Sequence, residues 1–227
     1  MRRSDEIKCV ALGLGVDLFG IAPAGRFEGA PEGFRPVDIY PECKSVLVFA
    51  RRLPQAALRA GSCVAYGHVN TMINIEVDLL SVELARRLED MGIGAVPVPS
   101  DDPYEHWEPD RLYGRAILSL RHSAQLAGLG RLGRNTLLIN EKYGNMIQIG
   151  AVLVDAELDG DPPASYQVCP TDCSLCIDAC PVDALDGETV VQELCRPLAC
   201  HRTERGFVLK KCNVCRSICP HALGIET

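Results

Sequence analysis

Nine of the chain's twelve cysteines fall between Cys169 and Cys219, about 15% of the residues after 168. Thiols at that density decide how the last quarter of the chain is organised. The segment reads Cys169-Pro-Thr-Asp-Cys173-Ser-Leu-Cys176-Ile-Asp-Ala-Cys180-Pro181, continues through Cys195 and Cys200, and closes with Cys212-Asn-Val-Cys215-Arg-Ser-Ile-Cys219-Pro220. Each end carries a C-x2-C-x3-C-P run. This is the spacing with which bacterial-type ferredoxins hold [4Fe–4S] clusters, the last cysteine of each run crossing to the other cluster. Two such runs in one short segment predict two clusters and a chain that moves electrons.

Two other uses of the thiols compete. A disulfide scaffold suits a small secreted domain, but Met1-Arg2-Arg3 runs into Ser4, Asp5 and Glu6 with no apolar stretch behind it. The sequence therefore predicts no export signal, and the paired arginines do not make one. Structural zinc would use the C-x2-C pairs at 173/176 and 212/215. The 35 residues between those pairs exceed the usual zinc-ribbon gap of about 15–20. Zinc also leaves no task for Cys180 and Cys219, each placed before a proline.

The chain has 227 residues and a net charge of −7. No stretch approaches ~18 consecutive apolar residues, so no membrane span is expected. An acidic, thiol-rich chain without an export signal fits a reducing cytoplasm. No run of Lys or Arg exceeds two residues, so no basic stripe for nucleic acid is expected.

The expected architecture is an α/β (α+β) N-terminal domain over 1–158, a breaker-rich linker over 159–168 containing Asp159-Gly-Asp-Pro-Pro-Ala164, and a ferredoxin-like two-cluster domain over 169–227. Ser4 is positioned to cap a first helix reaching about Val16. Leu18–Ala22, Ser45–Ala50 and Ile93–Val98 read as strands, the second continuously apolar and so central. The clearest helix runs from about Thr71 to Met91 on the stripe Ile73, Val77, Leu80, Leu84, Leu88 and Met91, with Gly92 as its stop. Residues 99–115, rich in Pro, Asp, Tyr and Trp, read as a long functional loop. Leu137–Asn140 and Met146–Val154 are strand-like, and a hairpin through 141–145 is expected.

Gly128-Leu-Gly130-Arg-Leu-Gly133 matches the dinucleotide fingerprint letter by letter. The fingerprint requires a strand before it and a helix after it. Here the order is reversed, helix before and strand after, so nicotinamide or flavin binding of that kind is not expected. Two readings remain: a helix-to-strand turn whose glycines permit close packing, or a loop whose backbone N–H groups, with Arg131 or Arg134, face a flat or anionic cofactor.

The stretch Ala127-Gly-Leu-Gly-Arg-Leu-Gly-Arg-Asn-Thr136, the apolar strands after it and the paired C-x2-C-x3-C-P runs resemble the epoxyqueuosine reductases and, more distantly, the reductive dehalogenases. Gly20-Ile-Ala-Pro23 and Ser45–Ala50 fit the same resemblance. It implies an N-terminal domain of the kind that binds base-off cobalamin, with flavin as the lesser alternative. Gly128, Gly130, Arg131, Gly133, Arg134 and Asn135 would lie at that cofactor. It also implies one cluster on Cys169, Cys173, Cys176 and Cys219, and a second on Cys180, Cys195, Cys212 and Cys215, with Cys200 as the alternative to Cys195. Electrons would come from an external ferredoxin or flavodoxin. The spacing Cys169-x3-Cys173 is one residue longer than the family's. The resemblance further implies an acidic proton donor about a dozen residues before the glycine loop, yet no acid lies from Leu112 to Ala127. A helical-repeat extension that assists tRNA binding in epoxyqueuosine reductases is also not seen after Cys219, so a small molecule is the expected substrate.

Reducing a carbon centre needs a proton, and Asp101, Asp102, Tyr104, His106, Tyr113 and His122 are the groups near the loop able to give one. Cys9, Cys43 and Cys63 read as buried small hydrophobes. Three functions remain open: a reductase acting on a small molecule, a non-catalytic electron carrier docking a redox protein, and an activator re-reducing the corrinoid or metal centre of a partner.

Overall fold

The computed structural model describes residues 2–225. Helix α1 (Arg3–Gly13) leads into β1 (Leu18–Pro23). A single turn, α2 (Pro36–Ile39), precedes β2 (Ser45–Arg52), and the long helix α3 (Cys63–Asp90) returns the chain to β3 (Ala95–Val98). Two short strands, β4 (His106–Glu108) and β5 (Tyr113–Arg115), pair within the 99–115 segment. Helix α4 (Leu120–Leu126) is followed by the two-residue strands β6 (Arg131–Leu132) and β7 (Leu138–Ile139), then by β8 (Ile147–Val154). The cysteine-rich part holds α5 (Leu175–Asp178), α6 (Gln192–Ala199), the small pair β9 (His201–Arg202) and β10 (Val208–Leu209), and α7 (Val214–Ser217).

The main sheet runs β1-β2-β8-β3 and every pairing is antiparallel. The central stretches of its two inner strands, Val46–Ala50 and 149–154, are apolar because both faces are covered. Val46, Val48 and Ala50 of β2 point to one face, with Ile147, Ile149, Ala151 and Leu153 of β8. Leu47 and Phe49 point to the other, against Ile7 and Ala11 of α1 and Val77, Leu84 and Leu88 of α3. The first face packs on Phe27, Leu118, Ala124, Ala127 and Leu138. The result is a mixed α/β fold with helices on one face of a four-stranded sheet, and α4 beside a cavity on the other.

Several boundaries differ from expectation. Helix α3 starts eight residues early because the Ser62 hydroxyl accepts the Val64 N–H and caps it. Ser4 lies inside α1, where its hydroxyl instead accepts the Asp159 N–H. The hairpin expected over 137–154 does not form. Strand β7 pairs with β6, and both edges of β8 are taken by β2 and β3. An apolar run of eight residues gains more by entering the sheet centre than by pairing with a two-residue neighbour. Cys43 is buried as expected, but Cys63 is half-buried at the start of α3 and Cys9 is exposed on the outside of α1.

The segment 159–164 is fastened, not loose. Asp161 accepts the Ile21 N–H and the Lys8 ammonium, and its carbonyl accepts Arg26.

Candidate functional site

The glycine loop joins α4 to β6, so it follows a helix and opens a strand. Its glycines are packed against backbone. A Cβ on Gly128, at φ +80°, would lie 2.3 Å from the Pro162 carbonyl oxygen, and one on Gly130 would lie 2.5 Å from that of Ile139. Gly133 abuts Ile139 and Asn135. Arg131 is exposed and reaches the Tyr166 carbonyl. None of these four residues lines the large cavity; the glycines form a close-packed turn beside it.

The end of that motif reaches the cysteines. Arg134 donates to the carbonyls of Cys173 and Thr171, at 2.8 and 2.9 Å. Asn135, buried, donates from Nδ2 to the Cys215 carbonyl at 3.0 Å and accepts the Leu137 N–H on Oδ1. Asn145 donates to the Arg216 carbonyl. The polar residues of the loop region therefore fix the backbone that carries the thiols.

No sulfurs are joined in disulfides among the described residues, and no three His, Cys, Asp or Glu converge on a single-ion site. The cysteines gather instead into two looser groups. Cys169, Cys173, Cys176 and Cys219 line one small cavity together with Arg134 and Asn135. Burial raises the Cys176 and Cys219 thiols, and charges on the other members of the group raise them further. In the second group burial raises Cys195, with Cys212, Cys180 and Cys200 adding to it, and pushes Cys215 up to about 11, with Cys195 and Cys212 adding to it. Cys200 touches the Lys210 ammonium at 3.7 Å. Cys176 also acts on Cys215, so the two groups are neighbours. Cys219 sits with Cys169, Cys173 and Cys176 of the opposite run, and Cys180 acts on Cys195.

A cavity of about 910 Å³ opens on the α4 side of the sheet, near the upper end of the ~300–1,000 Å³ usual for ligand sites. Phe27, Phe34, Leu118, Leu138, Ile147 and Ile149 give it apolar walls. Of the acid–base candidates, Asp101, Tyr104, Tyr113 and His122 line it, whereas Asp102 and His106 do not. His106 is exposed, its ring 5.0 Å from that of Phe34. Tyr104 donates its hydroxyl proton to Asp101 Oδ1 at 3.3 Å, and Asp101 Oδ2 accepts from Asn74 Nδ2 at 3.1 Å. Burial first, then the Asp101 carboxylate, raises the Tyr104 phenol, so it keeps its proton. Burial lowers His122, whose Nδ1 lies 2.6 Å from the Ser119 hydroxyl.

Sequence reasoning missed the wall contributed by α6. Gln192 both accepts the Gly114 N–H and donates to the Gly114 carbonyl, each at 3.0 Å. Arg196 lies 5.0 Å above the rings of both Tyr104 and Trp107. Arg196 follows Cys195 and Arg216 follows Cys215, and both arginines line the cavity. The second cysteine group therefore borders the cavity. A four-residue helical offset, Gln192 to Arg196, was the only trace of this in the sequence.

No protein-family model matches the chain. It is 35% identical over 121 residues to an epoxyqueuosine reductase of Staphylococcus aureus, covering 49% of this chain and 31% of that one. It is 30% identical over 204 residues to a tetrachloroethene reductive dehalogenase of Desulfitobacterium hafniense, covering 87% of this chain and 32% of the relative. The solved epoxyqueuosine reductase of Streptococcus thermophilus superposes with a TM-score of 0.69 at 20% identity, over 98% of this chain and 66% of that one. The chain thus spans about a third of the length of these two curated relatives.

Proposed function

We propose that this relative of the epoxyqueuosine reductases and reductive dehalogenases is an iron–sulfur reductase, delivering electrons through two [4Fe–4S] clusters to a corrinoid in the 910 Å³ cavity, where a small molecule is reduced. One observation carries the reading. Two cysteine groups stand in series, and the residues following Cys195 and Cys215 form part of the cavity wall.

Cys169, Cys173, Cys176 and Cys219 would hold the outer cluster. Cys180, Cys195, Cys212 and Cys215 would hold the inner one, with Cys200 beside it. The donor sets are all thiol, as such clusters require, and the cavity's size and mixed walls fit a large cofactor bearing amide groups. When bound, these groups supply one-electron transfer and a strongly reducing metal centre.

The chain's own residues supply the rest. Tyr104 holds a proton on its hydroxyl at the cavity wall, Asp101 orients it, and Tyr113 stands on the same wall. The electron donor is external, of ferredoxin or flavodoxin type, and the working compartment is the cytoplasm. The chain's net charge of −7 and lack of basic runs favour a small molecule over nucleic acid.

Anaerobic reconstitution tests the reading, with an expected content on the order of eight irons per chain. Stoichiometric zinc without iron would sink it. Cobalamin is expected to bind at micromolar affinity or better, its cobalt signal showing no lower nitrogen ligand. If neither cobalamin nor flavin binds, the chain is an electron carrier or an activator of another protein.

A further inference from the structure

The walls of the large cavity have a charge opposite to that of the chain. Five guanidiniums line it, those of Arg26, Arg115, Arg121, Arg196 and Arg216, against one carboxylate, Asp101. Five against one leaves an excess of four positive charges, in a chain whose net charge is −7. Among the described residues none of the five meets a carboxylate within 4.0 Å, although eight other basic residues do.

Three of them are tied to backbone. Arg26 donates to the Leu126 and Asp161 carbonyls, Arg121 to that of Thr136, and Arg216 to that of Asn145. Burial lowers the Arg121 guanidinium, a sign of how little solvent offsets its charge. The other two are held only by neutral groups. Arg115 lies over the faces of Phe34 and Tyr113, at 5.8 and 5.2 Å, and its side chain makes no hydrogen bond among the described residues. Arg196 lies on Tyr104 and Trp107, gives its Nε to Gln192 and acts on the neutral Tyr104 hydroxyl. Aromatic faces orient a guanidinium without neutralising it, and an oriented guanidinium recognises carboxylate or phosphate through paired N–H groups. A concave site lined by one sign of charge also concentrates the opposite sign.

We infer that the cavity selects a substrate carrying a carboxylate or phosphate group, which Arg115 and Arg196 grip beside Tyr104. The inference rests on the proposed reading that this cavity is the reaction site. It makes Arg115 and Arg196 the specificity-determining residues and directs the substrate's reducible part toward the apolar wall formed by Leu138, Ile147 and Ile149.

The test is calorimetric titration of the full chain, anaerobically reconstituted with iron and sulfide, with and without saturating cobalamin. The probes are benzoate, phenyl phosphate and the uncharged benzamide. Both anions are expected to bind at least about tenfold more tightly than benzamide, with the advantage shrinking as salt is added. Whichever anion binds better tells a carboxylate substrate from a phosphate one. Arg115→Gln, at an exposed position, and Arg196→Gln are each expected to lose about fivefold or more of benzoate affinity, a charge-assisted contact being lost. Arg196→Lys should keep part of it, and iron content with circular dichroism checks that each variant folds.

Benzamide binding as well as benzoate, or both Gln variants retaining benzoate affinity, would overturn the inference. Displacement of benzoate by cobalamin would also overturn it, by assigning the arginines to the cofactor. A tRNA stem loop that binds more tightly than phenyl phosphate and displaces it would do the same. Cobalamin binding is scored separately. Anion discrimination without cobalamin binding removes the corrinoid reading and leaves the anion site standing, whereas cobalamin binding without discrimination does the reverse.

Discussion

Replacing Asn135 by alanine separates the cluster segment from the α/β sheet at one defined point. Asn135 is 3% exposed, and its amide makes two hydrogen bonds, 3.0 Å to the Cys215 carbonyl and 3.1 Å from the Leu137 N–H. Each such bond contributes about 1 kcal/mol net, and a buried partner left unsatisfied costs about 1–3 kcal/mol. Asn135→Ala leaves two partners unsatisfied, so a loss of about 2–6 kcal/mol is expected. The guanidinium midpoint, followed anaerobically by far-UV circular dichroism, should fall accordingly. Because Cys215 belongs to the inner group, visible cluster absorbance should be lost at lower denaturant than the helical signal. Asn135→Asp keeps the acceptor for Leu137 but has no donor for Cys215, and should lose at least as much. Arg131→Ala, removing one exposed 3.2 Å contact, should stay within about 0.5 kcal/mol. An Asn135→Ala protein with an unchanged midpoint and full iron would refute the view that this motif exists to hold the thiol segment.

Four further outcomes are expected. Cys180→Ala and Cys219→Ala should each drop the iron content toward about four per chain by disturbing the group opposite their own run, while Cys9→Ala leaves it unchanged; iron analysis decides. Tyr104→Phe should slow substrate reduction by about 10²–10⁴ with little change in benzoate affinity, and the wild-type rate should decline only above pH 10.0, the ordinary phenol value, because the folded-state pKa is raised. Gly128→Ala should destabilise by more than about 1 kcal/mol, since positive φ and the Pro162 carbonyl both oppose a side chain; thermal melts measure it. Burial pushes Cys43 from 9.0 to about 11, so its contribution is full below pH 9 and is lost as pH rises toward 11. Cys43→Ala should flatten that alkaline limb by about 2–3 kcal/mol, read from denaturant midpoints across pH.

Residues whose partners are near in sequence, or whose burial is two-sided, could be read directly. Val46–Ala50 is apolar at every position because helices or loops cover both faces of β2, and the stripe from Ile73 to Leu88 is the buried face of α3. The cysteine runs stand out in the sequence as spaced motifs, whereas the crossing of Cys219 to the other run is made by the fold. The 137–154 hairpin misled because local alternation says nothing about which distant strand competes for an edge; β2 and β3 took both edges of β8. The cavity arginines were illegible for a related reason. Positions 26, 115, 121, 196 and 216 share no periodicity and no motif, and only the fold brings them together. No acid lies between Leu112 and Ala127, and Asp101, named among the candidates from the loop after β3, is the carboxylate that lines the cavity.

Helix α6 carries Cys195 on the same two turns as Gln192 and Arg196, so one short helix is a cavity wall and, on the proposed reading, a cluster support. Eight residues are too few for a helix to persist on its own. Metal loading and pocket shape are then thermodynamically linked, and linkage is reciprocal. Whatever occupies the cavity should tighten the binding of iron, and stripping the iron should weaken the occupant by the same factor. On the proposed reading, assembly acquires a preferred order as well: filling the inner thiols leaves the chain more receptive to its substrate.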